Sequence, residues 1–229
     1  MSGSHRSLST ISTDVGDGPQ DQTSRVRAGY NILSRAYRAD TADEATQRQY
    51  VEWLGVVRER APAGGDVLDL GCGNGIPAAK WLSDNGFWVT GVDLSDTMID
   101  RARELVPKAR FLRGDATSVD DIDFGGSAFD AVVSFYALIH MPITDQPGVI
   151  ARAARWLRPG GLFLATVGHT AWTGTENDWL GGGADMWWSH PEAATYRAWI
   201  ESAGLAIDDE RFVAEGAGGH TLFVATRAN

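Results

Sequence analysis

Three glycines alternate with other residues at Gly71, Gly73 and Gly75 in "VLDLGCGNG", directly after a short apolar run. Glycine leaves the backbone bare and reaches conformations other residues avoid. Such a stretch can turn tightly at the start of a helix and let a ligand approach main-chain N–H groups. Asp69 stands two residues before the first glycine, where a carboxylate can bind an amino group. Asp93 follows Gly73 by 20 residues and ends a second apolar run, a position from which an acidic side chain can accept both hydroxyls of a ribose. Asp115 closes "FLRGD", where a carboxylate and the next backbone N–H can grip an adenine edge. Each residue also has a plain structural reading. The glycines can form an ordinary strand-to-helix turn, Asp93 can be a solvated strand end, and turns favour Asp at 115 in any case. A dinucleotide fingerprint would put its third glycine at position 76, which is Ile76, so the spacing departs from the nicotinamide pattern.

The elements that must position these residues alternate along the chain. "DVLDL", "FWVTGVD", "ARFLRGD", "FDAVVSFYAL" and "GGLFLATVG" read as strands. Between them "IPAAKWLSDNG", "SDTMIDRARELV" and "ITDQPGVIARAARWL" read as helices, the second capped by Ser95 and stopped before Pro107. This alternation predicts a doubly wound α/β fold with a mostly parallel sheet, helices on both faces, and a ligand beyond the carboxyl ends of the strands. After the helix "PEAATYRAWIESAG", the runs "LAIDDERFVAE" and "HTLFVATRA" are joined by a Gly-rich link and predict an antiparallel hairpin. Two further helices are expected between residues 24 and 60. Residues 1–22 are Ser/Thr/Gly/Asp-rich without periodicity and are expected to form a disordered tail ahead of a single domain over 23–229.

Composition narrows the class of partner. The net charge is −10 with no basic cluster along the chain, which disfavours nucleic acid. No apolar run approaches the ~20 residues of a membrane helix, and Met1 to Asp21 lacks the apolar core of a signal peptide. Cys72 is the only cysteine, so no internal disulfide can form and a cytoplasmic location is expected. The histidines are scattered, and no metal site is expected. Four of the nine tryptophans fall between residues 172 and 188, a concentration expected of a core or a pocket wall.

Taken in order, "VLDLGCGNG", "VTGVDLSDTMIDRAR", "RFLRGDA", "FDAVVSFYALIHMP" and "WLRPGGLFLATV" resemble the successive motifs of the class I S-adenosylmethionine-dependent methyltransferases. The likeness extends from about residue 27 to 227 and includes the terminal hairpin. It implies a Rossmann-like, seven-stranded sheet and S-adenosyl-L-methionine as cofactor. By the same resemblance, Asp69 and the backbone of Gly71, Cys72 and Gly73 would meet the methionine moiety, with Cys72 itself a packing residue. Asp93 would hold the ribose, Leu94 and Met98 the adenine face, and Asp115 and Ala116 the adenine edge. Ser134 and Phe135 would line the sulfonium side. "AGYNILSRAYRAD" resembles the family's closing N-terminal helix, part of a helical cap over 23–60, so Tyr30 and Tyr37 would reach the cofactor carboxylate or else pack in the core.

Residues 168–190 form a Trp-rich insertion that resembles the "WLG…M.WSH" segment of a functionally mixed group of bacterial small-molecule methyltransferases. The resemblance implies a lid in which Trp179, Met186, Trp187, Trp188 and His190 cap the methyl-transfer site, with Tyr136 and His169 also facing substrate. A loop anchored by aromatic plugs is the alternative. Gly181 to Gly183 would let a lid move. The implied reaction is transfer of a methyl group to O or N of a small molecule, as in natural-product tailoring. His140, just past the fourth strand, is the first candidate for a general base. Methylation of RNA or protein, a catalytically silent cofactor-binding protein, and a nicotinamide oxidoreductase are the competing readings.

Overall fold

The computed structural model of the chain describes residues 11–12, 18–118, 124, 128–216 and 218–228. Its centre is a seven-stranded sheet. The strands are β2 (Asp66–Leu70), β3 (Trp88–Asp93), β4 (Arg110–Arg113), β5 (Phe129–Phe135), β6 (Leu157–Gly168), β9 (Leu205–Glu215) and β10 (Gly218–Arg227), in the order β4-β3-β2-β5-β6-β10-β9. The pairs from β4 to β6 are parallel. β10 runs antiparallel to both β6 and β9, as the terminal hairpin predicts. β3 and β5 lie on opposite sides of β2, so the chain reverses its direction of winding there and opens a crevice at the strand ends.

Period-two alternation explains how one sheet serves two cores. Val67, Val89, Ala131, Val133, Leu162 and Leu164 point to one face. There they meet Trp53, Leu54 and Val57 of α2 (Glu44–Arg60), Leu82 of α3 (Ala78–Asp84) and Ile99 of α4 (Asp96–Leu105). Leu68, Leu70, Val132, Phe163 and Ala165 point to the other face. They meet Val149 and Ile150 of α5 (Gln146–Trp156) and Tyr196 and Ile200 of α6 (Ala193–Ser202). The cap expected at Ser95 is present: its hydroxyl accepts from Met98 N at 3.1 Å.

Three expectations change. The helix expected after the glycines begins at Ala78, so the bare loop extends further than foreseen. Helix α1 (Pro19–Tyr37) starts inside the segment expected to be a tail, because Pro19 has the fixed φ suited to a first helical turn. Most of the remaining tail lies outside the described residues, but β1 (Ile11–Ser12) pairs with the insertion. The insertion is itself a hairpin, β7 (Trp172–Glu176) with β8 (Met186–His190), and with β1 forms a separate three-stranded sheet. A third apolar cluster joins this small sheet to α1, through Val26 and Leu33 on the helix and Trp179, Met186 and Trp187 on the insertion. The insertion expected as a lid is thus a hairpin packed on α1.

Candidate active site

The floor of the site is made by the carboxyl ends of β2 and β3. Gly71 and Cys72 both donate their N–H to Val92 O, at 2.8 and 3.0 Å, which folds the loop across the end of β3. Gly71 needs to be glycine: its φ is +80°, and a Cβ there would collide with the Ala137 side chain. Asp93 Oδ2 accepts from Gly73 N and Oδ1 from Ser95 N, both at 2.9 Å. Burial raises the Asp93 pKa, against the lowering effect of these N–H donors. Asp69 is buried, and its Oδ2 has no hydrogen-bond partner among the described residues. Burial, with the nearby Asp93, pushes its pKa up to about 7. An unpaired buried carboxyl oxygen is costly, and a donor from a ligand would relieve it.

Three connected hollows meet above this floor. A cleft is bordered by Asp93, Leu94, Met98, Asp115 and Ala116. A second, smaller hollow is bordered by Arg38, Tyr50, Asp69 and Cys72. The third is an aromatic chamber of about 520 Å³, with Trp179, Trp188, Glu176, Glu215 and His220 in its wall. Gly71, Gly73 and Phe135 border the first two, and Tyr136 and His140 border the first and third. Tyr37 borders all three. Tyr136 has a φ of +59°, strained for a residue with a side chain, and its N–H is held by Thr166 Oγ1 at 2.7 Å.

The roof is assembled from side chains. Tyr30 Oη lies 2.8 Å from His140 Nε2, and His140 Nδ1 lies 2.9 Å from the carbonyl of Trp187. A carbonyl only accepts, so Nδ1 carries the proton and the Nε2 lone pair receives the Tyr30 hydroxyl. Burial drives the His140 pKa down to about 4, the Trp187 hydrogen bond opposing the shift. The expected base is therefore neutral and engaged at both nitrogens, bridging α1 to β8. The end of α1 is fixed separately by buried Arg101 of α4. Arg101 Nη1 donates to Ser34 O and Ser34 Oγ, both at 2.6 Å, and Nη2 to Arg38 O and Asp40 Oδ1, both at 2.7 Å.

Most of the residues expected at the site border these hollows, and five do not. Ser134 is fully buried and donates to Leu70 O at 3.0 Å, because its alternating position in β5 points it into the sheet. Met186 and Trp187 face α1 in the third core cluster, although the Trp187 carbonyl fixes His140. His190 packs over Gly168, and His169 is exposed, bonded to Thr221 Oγ1 at 2.9 Å. Trp188 packs against the edge of the same cluster and also borders the chamber, which Trp187 does not reach. Cys72 borders the second hollow, and burial raises its thiol pKa well above the ordinary value, which suits packing and not nucleophilic chemistry. Sequence reasoning missed Arg38, Tyr50, Glu176, Glu215 and His220. Arg38 adjoins Tyr37 and could have been found from that neighbour. Tyr50 comes from α2, and Glu176, Glu215 and His220 from the two hairpins, whose placement beside the site no local signal reveals. No group of three or more metal-ligating side chains occurs among the described residues.

Comparison with known proteins agrees with this geometry. A family described as "Methyltransferase domain" matches residues 67–161, the stretch from β2 into β6. The 27-O-demethylrifamycin SV methyltransferase of Amycolatopsis mediterranei is 38% identical over 127 residues, covering 53% of this chain and 44% of that protein. Over residues 67–161 the chain is thus similar to methyltransferase domains. The ubiquinone biosynthesis O-methyltransferase of Xanthomonas axonopodis is another relative from these methyltransferases, 33% identical over 160 residues, 65% of each chain. Among solved structures, 1,6-didemethyltoxoflavin-N1-methyltransferase of Burkholderia thailandensis, with bound 1,6-didemethyltoxoflavin and S-adenosylhomocysteine, superimposes with a TM-score of 0.74. It is 18% identical and covers 99% of both chains, a likeness of fold. The chain spans about half the length of the first curated methyltransferases it matches.

Proposed function

We propose that this protein transfers the methyl group of S-adenosylmethionine to a small molecule held in the aromatic chamber, with O or N as the acceptor atom. One observation carries the reading: an elongated cleft, a small polar hollow and a roomy aromatic chamber all converge on Tyr37. The residues fit the cofactor. Asp69, with its unpaired buried oxygen, suits an ammonium group, and Arg38 in the same hollow suits a carboxylate. Asp93 borders the cleft where a ribose would lie, and Leu94 and Met98 offer an apolar wall to a purine. Asp115 accepts from Thr117 N at 2.8 Å and keeps acceptor capacity toward the cleft.

The bound cofactor supplies an activated methyl group that needs no covalent enzyme intermediate. The protein's work is to align the acceptor and exclude water, and alignment of this kind can lower the barrier by roughly 7–11 kcal/mol. His140, with a pKa near 4 and both nitrogens bonded, is a weak base and holds the roof in place. Natural-product tailoring in the cytoplasm is the setting this reading favours. No described helix is long and apolar enough to cross a membrane, and the charge of −10 is unsuited to nucleic acid.

Calorimetric titration with S-adenosylhomocysteine tests the cofactor assignment. Asp93→Ala is expected to weaken that binding about 10- to 100-fold, the loss of a buried charged acceptor. Wild-type affinity in this variant would remove Asp93 from the site. NAD raising the melting temperature where S-adenosylhomocysteine does not would overturn the reading as a whole.

A further inference from the structure

The charges in the aromatic chamber are unequally matched. Glu215 has His220 Nδ1 at 3.0 Å from its Oε2, and Arg38 adds a second favourable charge, so its pKa is lowered. Arg38 donates to Tyr50 Oη at 3.3 Å, sits 5.0 Å from the Tyr37 ring centroid, and also borders the hollow that holds Asp69. Glu176, at the end of β7, is different. It lines the same chamber without an ion pair or side-chain hydrogen bond to any described residue, and burial raises its pKa. A half-buried carboxylate with no counter-charge among the described residues is held there at a cost that a cation would relieve.

The neighbours of Glu176 suit a cation as well. Trp179 and Trp188 border the chamber with ring centroids 5.7 Å apart and planes at 86°, and Tyr37 lies 5.2 Å from Trp179. In this edge-to-face contact one ring's edge covers part of the other's face, and the uncovered ring surface bordering the chamber attracts a desolvated ammonium. The chamber, at about 520 Å³, also has room for a ring system. An anionic acceptor would meet Glu176 and Glu215 with only the already engaged Arg38 and His220 to offset them.

We propose that the acceptor is a planar aromatic molecule bearing a protonated amine, with the amine held by Glu176 and the rings of Trp179 and Trp188. This inference rests on the methyl-transfer reading of the adjoining cleft. The ammonium is a recognition handle, and the chamber distinguishes acceptors by its presence.

The test uses the full chain saturated with S-adenosylhomocysteine and three probes sharing one indole body: tryptamine, tryptophol and indole-3-propionate. Calorimetry is expected to show tryptamine binding about tenfold tighter than either of the others. Glu176→Gln should bring tryptamine down to the level of tryptophol while S-adenosylhomocysteine affinity stays at its wild-type value and the melting temperature does not fall. Glu215→Gln, whose charge is already paired, should reduce the preference less. Equal or tighter binding of the alcohol or the acid, an undiminished preference in Glu176→Gln, or no tryptamine binding at millimolar concentration overturns the proposal. Failure of the wild-type chain to bind S-adenosylhomocysteine overturns the methyl-transfer reading instead, so the two outcomes are separable.

Discussion

The floor and the roof of the site are built on different principles. The floor is mostly backbone: glycines at the end of β2 and N–H groups folded onto Val92 O and onto one side chain, the carboxylate of Asp93. The roof is side chain: a tyrosine on α1 bonded to a histidine, the histidine bonded to a carbonyl of β8, and an arginine of α4 fixing the helix end. A backbone device tolerates almost no substitution, because conformation itself is the requirement. A side-chain device fails by degrees, one hydrogen bond at a time.

Substitutions sharpen that contrast. The largest effect is expected at the floor. Gly71→Ala adds about 1–3 kcal/mol of backbone strain to a collision with Ala137. The variant should melt roughly 4–10 °C lower and lose S-adenosylhomocysteine binding, as read by differential scanning and titration calorimetry. Retention of full affinity would show that the floor is not conformationally strict.

The next effect is one of pH. In the free protein the Asp69 carboxyl holds its proton up to about pH 7, far above its ordinary range. Pairing with an ammonium needs the ionised form, so affinity for S-adenosylhomocysteine should fall as pH drops below about 7, by up to tenfold per unit. Binding near neutrality should release a proton, detectable in buffers of different ionisation enthalpy, and Asp69→Asn should abolish both effects. Without ligand the sign reverses. The folded chain holds this proton more tightly than the unfolded chain, so the contribution to stability is complete below the ordinary carboxyl range and is lost as pH rises through about 7.

The smallest effect belongs to the roof. Tyr30→Phe removes one hydrogen bond between α1 and His140, about 0.5–1.5 kcal/mol, and should weaken cofactor binding two- to tenfold. The pH–rate profile of the wild-type chain should show no limb from His140 between pH 6 and 8, since its pKa lies near 4. A limb there that disappears in His140→Gln would restore the histidine as a base.

The same contrast explains what the sequence made legible. Asp69, Gly71, Gly73, Asp93 and Asp115 lie at strand ends whose positions follow from alternating apolar patterns, and all border the predicted hollows. Tyr30, Tyr37, Trp179 and Trp188 were reached through resemblance and occupy the roof. Met186, Trp187 and His190, which the resemblance implies at the lid, do not border the chamber in a hairpin packed on α1. Trp187 and Trp188 both touch the third core cluster, and only Trp188 also borders the chamber. Glu176 and Glu215 were invisible, since nothing within a few residues of either tells which distant strand it will face.

Tyr37 is a party wall: one ring forms part of three rooms. Any change to it disturbs every occupant at once, so drift toward a new guest has little freedom at that position. Glu176 and Trp179 border a single room, and there the tenant can change while the neighbours stay undisturbed. In this architecture, the history of preferences among related chains should be written on the second of these surfaces and not the first.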